Sequence, residues 1–384
     1  MQFEFATANQ IIFGRGKIKD IGKLTTGKGS RVFLVYGSSL DRISQISALL
    51  NDNRVSIIRF SIPDEPTIED IRTGVNLCRQ EDCDLVIAFG GGSVIDSGKA
   101  IAVLATNGGD ITDFLEIIGQ GKELLSPGLT MIAIPTTAGT GSEVTKNSVI
   151  ADRDNKVKVS LRSNFLIPKI ALIDPELTLS VPPEVTASTG IDAITQLIEP
   201  YVSRYTNPLV DAICQKGLKF ASDSLIKVYE DSLDIQSREK MSLASLFSGI
   251  GLANGKLGAV HGFAGVLGGM YAAPHGFICA SLLAAVTKVN IDALLLRNSN
   301  LEILSRYAHI AQILNNDIGS KAEDLVGILH NFTADLNIPP LSRLGVKEND
   351  FPEIIRKAAG SSSMKGNPVV LNPDELNEIL EISY

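Results

Sequence analysis

Short apolar runs alternate with longer stretches of helical periodicity through the first half of the chain. Residues 3–5 and 11–13 have strand length, and the runs at 31–36 and 55–60 are apolar enough to be buried strands. Runs of the same kind recur at 85–89, 130–134 and 170–173. Between them, residues 41–51, 67–80 and 94–105 carry helical periodicity, each long enough to cross over a parallel sheet. An α/β domain with a doubly wound, mostly parallel sheet is the fold this alternation predicts.

After Asp174 the pattern changes. No strand-length β-branched run follows DPELTLSVPPEV, and helical periodicity continues to the end of the sequence. Pro182 and Pro183 mark the change, and Pro200, Pro208, Pro274, Pro352 and Pro373 stand where later helices should begin or end. The reading is a dinucleotide-binding α/β domain over residues 1–181 and an all-α C-terminal domain over residues 182–384. The stretch GSSSMKGNP at 360–368 reads as a surface loop.

Composition narrows the partners. A length of 384 residues suits two domains, and a net charge of −8 without a basic block argues against nucleic acid or an anionic membrane surface. No uninterrupted apolar run reaches membrane-spanning length, and the N-terminus lacks a secretory pattern, so a cytoplasmic protein is expected. Cys78, Cys83, Cys214 and Cys279 show no CxxC spacing and read as small apolar residues.

Candidate chemistry concentrates in three places. Residues 85–104, LVIAFGGGSVIDSGKAIAVL, read as strand, phosphate loop and helix. Gly90, Gly91 and Gly92 let backbone approach a ligand, and the N–H groups opening the helix suit an anion. A glycine turn that only joins strand to helix is the plainer alternative. Gly37, Ser38 and Ser39 follow the strand at 31–36, where an acidic residue would grip the ribose of NAD. Their hydroxyls can instead meet a 2′-phosphate, which favours NADP(H), or they can cap the next helix; Asp41 keeps NAD(H) in play. A second loop, AIPTTAGTGSEVT at 133–145, offers hydroxyl and backbone donors for an opposite wall of the same cofactor cleft.

The third place is helical. Asp192 and Gln196 are four residues apart and share a helix face, and His261 and His275 follow in a glycine-rich region. Asp192 with the two histidines is a candidate metal set, although a helical histidine is more often structural, and His309 and His330 are left under that reading.

The motifs GGGSVIDSGKA at 90–100, PTTAGTGSEVT at 135–145, TGIDAITQLIEPYVS at 189–203 and the paired-histidine block at 258–279 are long patterns. In them the chain resembles the iron-containing (group III) alcohol dehydrogenase family, of the dehydroquinate-synthase-like fold, over its whole length. The resemblance implies a pyrophosphate loop containing Gly91, Gly92, Ser93 and Asp96. It implies that Thr136, Thr137, Thr140, Thr145, Asn147 and Lys158 line the rest of the nicotinamide site, with Leu177 packed against it. It also implies a divalent iron or zinc ion, a small alcohol, aldehyde or ketone as substrate, and a homodimer joined through a sheet edge to which residues 3–5 could contribute.

Two positions depart from the family pattern. Asp192, His261 and His275 match three expected metal ligands, but Gln196 stands where the first histidine is expected, and a glutamine carbonyl is a harder and weaker donor. Gly265 stands where many relatives carry a further histidine near the substrate. The expected reaction is hydride transfer between the nicotinamide and an alcohol or carbonyl compound, with a metal held by Asp192, Gln196, His261 and His275. Without a metal, a protonated His275 would have to serve as the catalytic hydrogen-bond donor. A nucleotide-binding homologue with little catalysis and a sugar-phosphate cyclase are the alternatives. The second needs more lysines and arginines than the sequence offers near the ligands.

Overall fold

The computed structural model describes residues 2–384 except 52–54, 117, 156, 272 and 298, and except the side chains of residues 40 and 41. The chain divides into two compact units. One comprises residues 6–137 and 141–179; the other comprises the N-terminal residues up to Phe5, Ala138–Thr140 and Ser180–Tyr384.

The first unit is built on strands β1 (Gln10–Phe13), β2 (Arg31–Tyr36), β3 (Ser56–Ser61), β4 (Leu85–Gly90), β5 (Thr130–Pro135), β6 (Asn147–Asp152), β7 (Val157–Arg162) and β8 (Ile170–Ile173). Six of them form one sheet in the order β1-β8-β5-β4-β2-β3, and every pairing in it is parallel. The two-residue period of the strands sorts their side chains into two cores. Phe33, Val35, Val86, Ala88, Met131 and Ala133 face one layer, whereas Val32, Leu34, Leu85, Ile87, Ile132 and Ile134 face the other. This two-sided burial explains why these strands read as continuous apolar runs.

The sheet order fixes the position of the candidate loops. From β2 the chain adds β3 on one side, then returns to place β4 on the other side of β2. The direction of winding therefore reverses beside β2 and β4, and ligands bind at such a switch point, beyond the carboxyl ends of the strands. Gly37–Ser39 and Gly91–Ser93 both follow those ends. Tyr36, the last residue of β2, pairs with Phe89 of β4, so the two loops leave the sheet at the same level.

Three local expectations need correction. Residues 3–5 form no strand and cluster with the helical unit, and Phe3 remains 47% exposed. A run of three residues has too few backbone groups to hold an edge by itself. Strands β6 and β7 were not foreseen; they form an antiparallel hairpin with one face buried, and Ala151 of β6 adds a single parallel bridge to Thr67. The helix at the phosphate loop begins at Gly92, not Val94, with Gly90 ending β4 and Gly91 as the N-cap.

The second unit is helical, with no strand among its described residues. Its longer helices are Pro183–Val202, Pro208–Glu230, Ile235–Gly255, Ala259–Met270, His275–Leu296 and Leu301–Asn315. Proline opens two of them, at Pro183 and Pro208, and also helix Pro373–Ser383, where its missing N–H costs nothing. Pro200 instead lies inside the last turns of its helix. Helix His275–Leu296 is long and apolar enough to cross a membrane by length and composition, but 78% of its most apolar stretch is buried within the fold. It is apolar all round because neighbouring helices surround it.

The 360–368 stretch is only partly a surface loop. Asn367 is buried and hydrogen-bonded on both sides of its amide, to Asn290 and to the backbone of Ala259 and Val369.

Candidate active site

At the glycine loop, Gly91 caps helix Gly92–Thr106 in extended backbone with no side-chain hydrogen bond to the first turn. The opening amides thus lack a side-chain partner, as an anion-binding helix terminus requires. A Cβ on Gly37 would lie 3.7 Å from Val94 Cγ2, and one on Gly91 would lie 3.4 Å from Thr137 Oγ1. Thr136 N–H donates to Gly90 O at 3.0 Å. The structure therefore gathers Gly37, Gly91, Gly92, Ser93, Thr136 and Thr137 at one end of the sheet. Ser38 and Ser39 are exposed there, and the side chain of Asp41 lies outside the described residues.

The remaining expected cofactor residues are placed differently. Asp96 is buried, and its carboxylate accepts from Val149 N–H at 2.9 Å, from the Ser142 hydroxyl and from Lys99 Nζ at 3.2 Å. Lys99 is buried as well and also donates to Thr145 Oγ1 at 2.7 Å and Asn147 O at 2.9 Å. Asp96, Thr145 and Asn147 are thus tied together by one ammonium that fastens the hairpin to the glycine-loop helix. Burial holds the Lys99 pKa below the ordinary lysine value despite Asp96. Lys158 pairs with Glu65, Leu177 is buried in a core beneath the sheet, and Thr140 belongs to the helical unit.

The helical unit carries the second constellation. Asp192, Gln196 and Glu199 occupy one face of helix Pro183–Val202, at spacings of four and three. His261 sits in the first turn of helix Ala259–Met270, whose start is fixed by two side chains: Glu199 Oε1 accepts from Val260 N–H at 2.7 Å, and Asn367 Oδ1 from Ala259 N–H at 3.1 Å. Gly258 precedes this turn because a Cβ there would stand 2.9 Å from Glu199 Oε1 and 3.1 Å from Asn367 Oδ1. Helix His275–Leu296 places His275 and Cys279 one turn apart on the same face.

These elements converge. One donor atom each from Asp192, His261, His275 and Cys279 lies within 4.8 Å of all the others. Asp192 Oδ1 is 3.4 Å from His261 Nε2 and 4.0 Å from His275 Nε2. Cys279 Sγ is 3.5 Å from His275 Nε2 and 3.9 Å from His261 Nε2. His261 Nδ1 lies 2.6 Å from Glu199 Oε2, and donation there turns Nε2 inward. Asp192 Oδ1 is buried and accepts no hydrogen bond from the described residues. An orphaned carboxylate oxygen facing two imidazoles and a thiol is a donor set that fits a divalent cation.

Gln196 is brought to this group in another capacity. Its amide N–H donates to Asp192 Oδ2 at 3.0 Å, and its carbonyl oxygen accepts from Ser248 at 3.2 Å. Both ends of the side chain are used, and they fix the carboxylate so that Oδ1 points at the histidines. Gly265 has nothing within 4 Å of where its Cβ would be.

Electrostatics follow from the packing. Burial works against the Asp192 carboxylate, but His261 and His275 outweigh it and keep the pKa below the usual value. Burial also opposes charge on His261, yet Cys279, Glu199 and Asp192 raise its pKa well above that of an ordinary histidine. In the absence of a cation, burial pushes the Cys279 thiol up to about 12. His275 is the most accessible of the set, with 35% of its side chain exposed against 7% for His261 and 2% for Asp192.

Reasoning from sequence missed Glu199, Ser248, Asn367 and Cys279. Glu199 and Cys279 had a signal in their helical spacing from Asp192 and His275. Asn367 had none, being 108 residues from Ala259, which it caps.

A glycine loop at the switch point of a parallel sheet and, in the helical unit, a buried donor set that fits a cation suit a metal-dependent oxidoreductase using a nicotinamide nucleotide. Comparison with known proteins narrows this class. The iron-containing alcohol dehydrogenase description matches residues 8–175, and that of the Fe-containing alcohol dehydrogenase family, C-terminal, matches residues 186–384. Alcohol dehydrogenase 4 of Saccharomyces cerevisiae is 31% identical over 378 residues, covering 97% of this chain and 96% of the yeast protein. The NADPH-dependent butanol dehydrogenase of Clostridium saccharobutylicum is 32% identical over 395 residues, covering 99% and 97%. The crystal structure of a 1,3-propanediol oxidoreductase superposes with a TM-score of 0.92 at 30% identity, covering both chains completely. The chain belongs to the iron-containing alcohol dehydrogenase family, whose members are oxidoreductases that use NAD(P)H and a divalent metal.

Proposed function

We propose that this protein is an NADP(H)-preferring alcohol dehydrogenase or aldehyde reductase acting on a small alcohol or carbonyl compound with the help of a divalent metal. The observation that carries the reading is the convergence of Asp192, His261 and His275 on a buried, unpartnered carboxylate oxygen. When bound, the nicotinamide supplies the hydride donor or acceptor, and the metal a Lewis acid at the substrate oxygen.

The chain's own groups have separable duties. The amides of the Gly92 turn favour the pyrophosphate through hydrogen bonds and the helix dipole. Exposed Ser38 and Ser39, with no carboxylate at positions 37–39, suit a 2′-phosphate; the butanol dehydrogenase relative, named for NADPH, is in line with this. Asp192, His261 and His275 would hold the metal, Glu199 fixes the His261 tautomer, and Gln196 aims Asp192. His275 is the most accessible of the three residues assigned to the metal. In the oxidative direction the alcohol loses a hydride from carbon and a proton from oxygen, and the proton ends in solvent.

The test is to titrate metal-replete protein with NADPH and NADH, then follow nicotinamide absorbance with a panel of short primary alcohols and their aldehydes. Turnover with a higher kcat/KM for NADPH is expected. Absence of turnover on the whole panel with either nucleotide would count against a dehydrogenase, and a preference for NADH would overturn the cofactor assignment.

A further inference from the structure

We propose that Cys279 is a metal ligand, bound as the thiolate, and fills the coordination position that Gln196 does not supply. The inference rests on the metal-assisted reading above and identifies which side chain completes the donor set. A buried cysteine packed as a small apolar residue is the competing explanation, and its polar contacts to both imidazoles speak against it. Tetrahedral coordination at ordinary bond lengths puts nitrogen and oxygen donors about 3.4 Å apart and sulfur and nitrogen donors about 3.6 Å apart. The pairs observed are 3.4 Å and 4.0 Å from Asp192 Oδ1 to the two imidazole nitrogens, and 3.5 Å and 3.9 Å from Cys279 Sγ to the same nitrogens. Sulfur therefore stands at coordination spacing from both histidines, on the inward face where Asp192 Oδ1 lacks a partner.

Gln196 is engaged elsewhere as it stands. Its amide nitrogen is engaged by Asp192 and its carbonyl by Ser248. Exchanging a neutral imidazole for a thiolate also changes the charge. Asp192 and Cys279 together offer two negative charges to a divalent ion, and the soft sulfur favours zinc over harder alternatives. The thiol proton is released to solvent as the metal–sulfur bond forms, so uptake of metal liberates acid.

The experiment uses full-length protein stripped of metal and reloaded with cobalt(II). Visible d–d bands report binding, and a near-ultraviolet thiolate-to-cobalt charge-transfer band reports sulfur in the coordination sphere. The proposal expects both in the natural protein, with the charge-transfer band lost and the d–d bands kept in Cys279→Ser. X-ray absorption of the zinc-loaded natural protein, which needs no variant to fold, should show a sulfur scatterer at about 2.3 Å. Cobalt d–d bands without charge transfer, or zinc without a sulfur neighbour, would overturn Cys279 ligation and leave the metal-assisted dehydrogenase intact. Failure of the natural protein to retain either metal would overturn both.

Discussion

Glu199 Oε2 accepts from His261 Nδ1 at 2.6 Å, with both side chains buried, while Glu199 Oε1 holds the helix turn that carries His261. One carboxylate thus sets both the tautomer and the backbone position of a ring proposed to ligate the metal. Glu199→Gln keeps an oxygen that can accept a hydrogen bond but removes its charge. Metal affinity, measured by competition with a chromogenic chelator, should fall about 10- to 100-fold with little change in secondary structure. Unchanged affinity would show that the Glu199 charge does not tune His261 toward the metal.

Two glycines should respond in opposite directions to the same methyl group. Gly265 lies inside helix Ala259–Met270 with open space where its Cβ would be, so Gly265→Ala should stabilise by ~0.5–1 kcal/mol through helix propensity. A Cβ on Gly90 would stand 2.6–2.9 Å from three side-chain atoms of Val94, so Gly90→Ala should destabilise by ~1–3 kcal/mol. Urea unfolding of the two variants measures both. Equal effects would contradict the packing described at either position.

The sheet was legible because its strands are buried on both faces and its crossovers follow helical periodicity; Leu85–Gly90 is the clearest case. The hairpin Asn147–Arg162 was missed because its alternating, half-polar strands resemble loop composition. The candidate metal site was half legible. Asp192, His261 and His275 stand out by residue type, but which Asp192 oxygen lacks a partner is settled only when Gln196 is seen to use the other. Cys279 was set aside because isolated cysteines are usually core residues. A one-turn spacing from His275 acquires meaning only when a second helix supplies Asp192 opposite.

The exposed serines after β2 give the cofactor proposal its own handle. Ser39→Asp introduces a carboxylate where the 2′-phosphate is expected. At ~1 kcal/mol per charge pair at 4 Å in water, two phosphate charges should cost NADPH about 30-fold in KM. NADH, lacking the phosphate, should be unaffected or slightly favoured. Steady-state kinetics with each nucleotide decides it, and an equal effect on both would remove Ser39 from the ribose site.

Glu143 should make stability depend on pH in a direction unusual for a carboxylate. It is buried in the loop after β5, and burial, opposed only partly by its backbone hydrogen bond and by Lys99, raises its pKa from 4.5 to about 7. Between those values the folded chain retains a proton that the unfolded chain has released. Stability contributed by the neutral acid is therefore complete below 4.5 and is lost as pH rises to about 7, after which it no longer changes. A shift of this size corresponds to ~3 kcal/mol, and Glu143→Gln, which cannot ionise, should escape the loss. The difference in unfolding free energy between variant and natural protein should thus widen in the variant's favour through the weakly acidic range and level off above neutrality. A difference that is flat with pH would mean that Glu143 ionises as easily in the folded chain as in the unfolded one, and that the Lys99 ammonium compensates its burial in full.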